Sequence, residues 1–162
     1  MRAVASRPHM PGYGVAEPDE GKGLLSWAWA QRRLEKAHNY WIATSRSDGR
    51  PHLMPVWGLW LDHAFYFSTG AKSRKARNLR AEPRCAISTE RGDEAVIVEG
   101  VAARLRPSAI PAGFAPAYKK KYGWDMSGSE EPVYRVRPEK AFAFIEHGDN
   151  FLKTATRWKF RT

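Results

Sequence analysis

From Leu24 to Ala37 the apolar positions Trp27, Ala30, Leu34 and Ala37 recur every three or four residues, and Trp41 continues the series. That period predicts an amphipathic helix, with Arg32, Arg33, Glu35 and Lys36 turned to water. Beyond it the period shortens to two. Tyr40 to Thr44 reads as a strand, and Arg46 to Gly49 as a hairpin turn carrying the Asp48-Gly49 pair. Pro51 to Leu61 reads as one long strand, apolar on both faces: His52, Met54, Val56 and Trp60 on one, Leu53, Trp57, Leu59 and Leu61 on the other. Such a strand belongs inside a barrel or against a partner subunit.

The remaining elements are short. Asp62-His63 predicts a tight turn before a strand over Ala64 to Ser68, and Ser73 to Ala81 a helix stopped by Pro83. Arg84 to Thr89 and Ala95 to Leu105 read as strands joined through Arg91-Gly92-Asp93. Ser108 to Tyr122 reads as a helix interrupted by Pro111 and Pro116, followed by a polar loop over Met126 to Glu131. Val133 to Val136, Lys140 to Glu146 and Thr154 to Phe160 read as closing strands. Many short strands with turn signals and few helices predict a mainly β fold, a closed antiparallel β-barrel of Greek-key type. Residues 1–23, rich in Gly and Pro, read as an extended N-terminal arm, and residues 24–162 as a single domain.

Composition narrows the class. No apolar run approaches the roughly 20 residues needed to span a bilayer, and Met1 to Gly14 lacks the apolar stretch of a secretory signal. With one cysteine, Cys85, no internal disulfide framework forms, and a cytoplasmic setting is the expectation. Cys85 itself reads as a small core residue. Seven Trp, six Tyr and seven Phe point to a β-rich core, a large interface or a pocket for a flat ligand.

The formal net charge of +10 implies an anionic partner, and its distribution is local. Lys72, Arg74, Lys75, Arg77, Arg80, Arg84 and Arg91 cluster together, opposed only by Glu82 and Glu90. In the stretch Phe65 to Leu79 a strand delivers the hydroxyls of Ser68 and Thr69 to a glycine turn. A helix then begins with Ser73, Arg74 and Lys75. A helix N-terminus already carries about half a positive charge, so adding cations there is unfavourable unless an anion neutralises them. Free amides, hydroxyls and cations together make a phosphate cradle. A solvated basic helix end is the bland alternative. The stretch is neither a Walker loop nor a dinucleotide fingerprint, since no Gly-Lys-Ser/Thr run and no GxGxxG occurs.

These motifs in order, Asp48-Gly-Arg-Pro-His52, Met54-Pro-Val-Trp57, Phe67-Ser-Thr-Gly70 and Ser73-Arg-Lys-Ala-Arg-Asn-Leu79, resemble the pyridoxamine 5′-phosphate oxidase-like superfamily of split-barrel proteins. The closing Thr154 to Phe160 is similar to its branch of flavin and deazaflavin oxidoreductases, particularly those using coenzyme F-420. The resemblance implies an FMN-binding-type split β-barrel and a homodimer with two cofactor sites at the subunit interface. By match, Ser68, Thr69, Lys72, Ser73, Arg74, Lys75 and Asn78 would hold the phosphate and tail. His52, Met54, Pro55, Val56 and Trp57 would lie along the ring system, largely through backbone contacts. Arg157 and Trp158 would close the site from the second subunit or the same one.

The resemblance is not to a true pyridoxamine phosphate oxidase, because the ending Arg157-Trp-Lys-Phe-Arg-Thr162 lacks that enzyme's arginine-and-proline close. Coenzyme F-420 is favoured over FMN, since its phosphodiester and polyglutamate tail suit the extra cations Arg77, Arg80, Lys119, Lys120 and Lys121. Reduced cofactor would pass hydride to a flat organic small-molecule acceptor, with Tyr118, Tyr122 and Trp124 either on the acceptor side or simply packed. No acid or base stands out, so the catalytic residues are left unassigned; a structural hydrogen bond is the expectation for His52. His9, His38, His63 and His147 lack metal-ligand spacing, which predicts no metal. The rivals are a single-strand nucleic-acid binder, prompted by the basic and aromatic content, and a cofactor carrier without turnover.

Overall fold

The computed structural model describes residues 2–17, 20–147 and 150–161. Its strands are β1 (Arg2–Ser6), β2 (Tyr40–Ser45), β3 (Pro51–Val56), β4 (Gly58–Leu61), β5 (Ala64–Ser68), β6 (Arg84–Thr89), β7 (Glu94–Arg104), β8 (Val133–Ile145) and β9 (Thr156–Arg161). The helices are α1 (Trp27–Lys36), α2 (Arg74–Ala81), α3 (Phe114–Tyr122) and the short α4 (Asn150–Thr154). All strand pairs are antiparallel. The sheet runs β1-β9-β8-β7-β6-β2-β3, and closes because β4, the continuation of β3, pairs with β5, which pairs with β8. This is the expected mainly β barrel. The connection from β5 to β6 skips β8 and β7 in the sheet order, in Greek-key fashion, and its helix α2 packs on β2.

The expected single strand over Pro51 to Leu61 is split at Trp57. β3 pairs with β2 from Tyr40↔Val56 to Ser45↔Pro51, whereas β4 pairs with β5 from Gly58↔Phe67 to Leu61↔Ala64. Glycine is required at the break, since a Cβ on Gly58 would lie 2.2 Å from the Phe65 ring. Conversely, the two strands expected around Pro138 are one. β8 crosses the proline, whose missing N–H breaks the ladder, through a register shift opposite Glu99/Gly100. There a Cβ on Gly100 would sit 2.2 Å from the Arg137 carbonyl oxygen, so only glycine permits the approach.

The N-terminal segment is more than an arm. Arg2–Ser6 adds an edge strand to β9, from Arg2↔Arg161 to Ser6↔Arg157. Arg7 is buried, and its guanidinium donates to the backbone carbonyls of Glu20, Lys22, Lys153 and Ala155. Four carbonyl dipoles thus replace the water that a buried cation has lost.

The core inside the barrel takes the inward positions of each strand, among them Ile42, Phe65, Phe67, Ile87, Val96, Val98, Val136 and Trp158. α1 plugs one end through Ala30 and Leu34, and its Trp27 meets Trp60, Trp158 and Phe160 edge-on at 4.8 to 5.9 Å between centroids. α3 covers β4 and β5 through Phe114 and Tyr118, which pack with Leu59 and Tyr66. Cys85 lies in the core as expected, and burial pushes its thiol up to about 12.

Candidate anion cradle and ring strand

α2 starts where the sequence places it. Ser73 is the N-cap, its Oγ accepting from the Ala76 N–H at 3.1 Å, and Thr69 Oγ1 donates to the same Oγ at 3.2 Å. The Ser73 N–H closes the turn onto the Gly70 carbonyl at 2.9 Å. These bonds commit the proton of Thr69 and leave that of Ser73 for a ligand. Ser68 Oγ donates away from the turn, to the Pro132 carbonyl at 3.1 Å, so Ser68 braces the strand end. Lys72 and Arg74, which flank the Ser73 cap at the start of the helix, are exposed.

Lys75 is half-buried, and desolvation lowers its pKa. None of Lys72, Arg74, Lys75, Arg77 or Arg80 forms an ion pair among the described residues. Asn78, expected at the phosphate, is instead buried and donates from Nδ2 to Thr44 Oγ1 at 2.9 Å. It ties α2 to β2, and that tie carries the cradle to the ring strand, because Thr44 pairs with His52 across β2 and β3. His52 is held below its usual pKa by burial, then by the charges of Lys75, Arg46 and Arg74. Its Nδ1 and the Nε of Arg46 are buried without partners among the described residues. The structural hydrogen bond expected for His52 is therefore not made. Arg46, which sequence reasoning missed, joins the cluster from the β2–β3 hairpin.

Cations gathered without ion pairs cost folding free energy unless a ligand neutralises them. Orphaned donors among them suit phosphate oxygens, so the residues present fit the phosphate of a cofactor. Nearby, one carboxylate touches the turn: Glu131 Oε2 accepts from the Ala71 N–H at 3.0 Å.

β3 has a hydrogen-bonded neighbour on one side only, β2. Its other edge is free for a ring's polar rim, and Leu53, Met54 and Pro55 are exposed beside Trp41. The side chain of Val56 points into the core, which leaves only its backbone for the expected contact. Trp57 bulges out at the strand break and stacks flat on Tyr122, centroids 4.7 Å apart and planes 8° apart. Tyr122 Oη accepts from the Gly58 N–H at 2.9 Å and lies 2.8 Å from the carbonyls of Gly58 and His38. Lys121 Nζ donates to Tyr40 Oη at 2.8 Å and to the Gly58 carbonyl at 3.1 Å, and burial lowers it to about 8. Lys121 and Lys119, the latter paired with Asp125 at 2.9 Å, are thus engaged locally instead of awaiting a ligand tail.

The C-terminal pair separates. Trp158 is a core residue, 1% exposed and wedged against Trp27, because odd and even positions of β9 face opposite sides of the sheet. Its expected contact with a ligand is corrected. Arg157 faces outward, bonds Ser6 Oγ at 3.0 Å, and lines a groove with His9, Met10, Phe142 and Phe144. Within one chain it sits at the far end of β8 from Ser68. Ser68 pairs with Val133 and Arg157 with Phe142, and the nine residue steps of β8 between them extend to at most about 30 Å at about 3.3 Å each.

The family profile for pyridoxamine 5′-phosphate oxidase matches residues 28–146. The chain belongs to this family. No curated protein matches it. Among solved structures, family architecture recurs in conserved hypothetical protein Rv2991 from Mycobacterium tuberculosis (TM-score 0.67, 24% identity, covering 76% of this chain and 86% of that one). It recurs in an F420 reductase (TM-score 0.57, 24% identity, 68% and 94%). It recurs also in HutZ, a heme storage protein from Vibrio cholerae (TM-score 0.61, 18% identity, 75% and 96%). These likenesses are of fold. Proteins with this barrel thus carry names as different as F420 reductase and heme storage protein, so the barrel alone does not name a ligand.

Proposed function

We propose that the protein is an oxidoreductase that binds coenzyme F-420 at the interface of a homodimer and serves hydride transfer to a flat organic acceptor, with FMN as the alternative cofactor. The observation that carries this reading is the juxtaposition, through Asn78–Thr44–His52, of a cation cluster without ion pairs and an apolar strand edge. One end suits a phosphate and the other a planar ring. The outward Arg157, at the far end of β8 from Ser68, is read as completing the site from a second copy. The exposed Trp41, Leu53 and Met54 supply apolar surface for that copy to cover.

When bound, the flavin or deazaflavin supplies the hydride chemistry. The chain's part is to bind and orient. Lys75, Arg74 and Lys72 hold the phosphate, with the Ser73 hydroxyl and the α2 amides as directional donors. The free edge of β3 fixes the ring's polar rim, and the Trp57–Tyr122 stack walls the ring end and excludes water. A cytoplasmic setting agrees with a single buried thiol at Cys85.

The test of the composite site is complementation. Lys75→Ala and Arg157→Ala homodimers should each bind cofactor weakly. Mixed and re-equilibrated, they should form heterodimers in which one of two sites is intact, with affinity restored in that site. Absence of restored sites in heterodimers verified by mass would refute the shared site.

A further inference from the structure

The cradle contains its own anion. The loop after α3 turns at Gly128, whose φ is +77°, and Pro132 fastens it to the cradle by accepting from Ser68 Oγ and the Thr69 N–H. This delivers Glu131 to the tip of the turn. Its Oε2 takes the Ala71 N–H at 3.0 Å and lies 3.9 Å from where a Cβ on Gly70 would be, so the carboxylate rests over the glycine. Nothing in the fold demands a charge there, because a neutral carbonyl would satisfy the same amide.

We infer that Glu131 is a specificity-determining residue that selects a cofactor attached through a phosphodiester over one ending in a phosphate monoester. The inference rests on the cofactor reading above and assigns its class. A monoester such as that of FMN carries about −1.5 to −2 at neutral pH and three terminal oxygens. A diester, as in the deazaflavin, carries a single negative charge and two. Lys72, Arg74 and Lys75 attract both, the monoester more strongly. Glu131 opposes the phosphate group of each in proportion to that group's own charge, so at the cradle it subtracts most from the monoester. It also takes the Ala71 N–H, removing one directional donor of the glycine turn from any terminal phosphate oxygen. The carboxylate thereby trims the excess attraction of the cluster for dianions.

Glu131→Gln tests this, since the amide oxygen still caps the Ala71 N–H while the charge is gone. FMN and coenzyme F-420 are titrated separately into full-length wild type and variant, following flavin fluorescence or absorbance. The variant should gain affinity for both, and its FMN-to-deazaflavin preference should shift about tenfold toward FMN, the effect of one extra unit of charge near a carboxylate. An equal gain for both, no gain, or a loss would overturn the inference while leaving the cofactor site standing. Failure of wild type and variant to bind either compound would overturn the cofactor reading itself, and the inference with it.

Discussion

The indole of Trp57 lies flat on the ring of Tyr122, and the phenol of that tyrosine holds both the N–H and the carbonyl of Gly58, the next residue in the chain. One side chain from α3 therefore fixes the point at which the long strand breaks into β3 and β4. That break turns Trp57 outward at the end of the ring strand while Val56 and Leu59 stay inside. The wall of the candidate site is thus made by the same hydrogen bonds that hold the strand break.

Tyr122→Phe keeps the ring and removes the pin. It leaves the Gly58 N–H without its partner, and the expected loss is about 1–3 kcal/mol in chemical denaturation, the cost of an unsatisfied buried group. Unchanged stability would mean that the Gly58 amide finds another acceptor.

Lys121 gives the fold a signature in pH. Burial holds its folded pKa near 8, below its ordinary 10.5. Folding therefore penalises the charged amine. The penalty is complete below about pH 8, fades as pH rises, and is gone above 10.5. Because Lys121 is partly exposed, about 1 kcal/mol is expected after screening. The stability difference between wild type and Lys121→Met should move in favour of wild type by that amount between pH 8 and 10.5. A pH-independent difference would contradict it.

Gly100→Ala should be severe, because its Cβ meets backbone on β8. A loss of about 3 kcal/mol or more, or failure to fold, is expected. Gly92→Ala, where nothing lies within 4 Å, should be near neutral and serves as the control in the same denaturation series.

How much of this was legible depended on whether the signal was local. α2 and its entry were, because Ser73 caps, Pro83 stops, and cations crowd the first turn within one short stretch. The strand break at Trp57 was not. Apolar residues continue across it, and only the pairing of β4 with β5 shows that the alternation has reset. Pro138 misled in the other direction, since its tolerance depends on Gly100 in a different strand. Arg2–Ser6 read as an arm for want of a pattern, yet its pairing with β9 is a tertiary fact. Trp158 was read from a motif, and its inward face follows from a strand phase the motif does not carry. Asn78 belongs to the matched stretch but spends its amide on Thr44, which only the fold reveals, and Arg46, hidden in a turn, takes a place among the cations.

Lys75→Ala isolates the central electrostatic claim. Lys75 is half-buried and lies near His52, so its loss should weaken cofactor binding by about 1–3 kcal/mol, the range for a hydrogen bond to a charged group. Arg84→Ala, an arginine already paired with Glu82 at 2.7 Å, should leave affinity unchanged.

The most direct measurement is the absorbance spectrum of the purified chain, followed by equilibrium titration with coenzyme F-420 and with FMN. The account predicts saturable binding of the deazaflavin, one per chain, well below about millimolar Kd, an affinity weaker than which corresponds to only about 4 kcal/mol. A colourless protein that binds neither compound better than millimolar, and instead binds single-stranded nucleic acid with steep salt dependence, would contradict it.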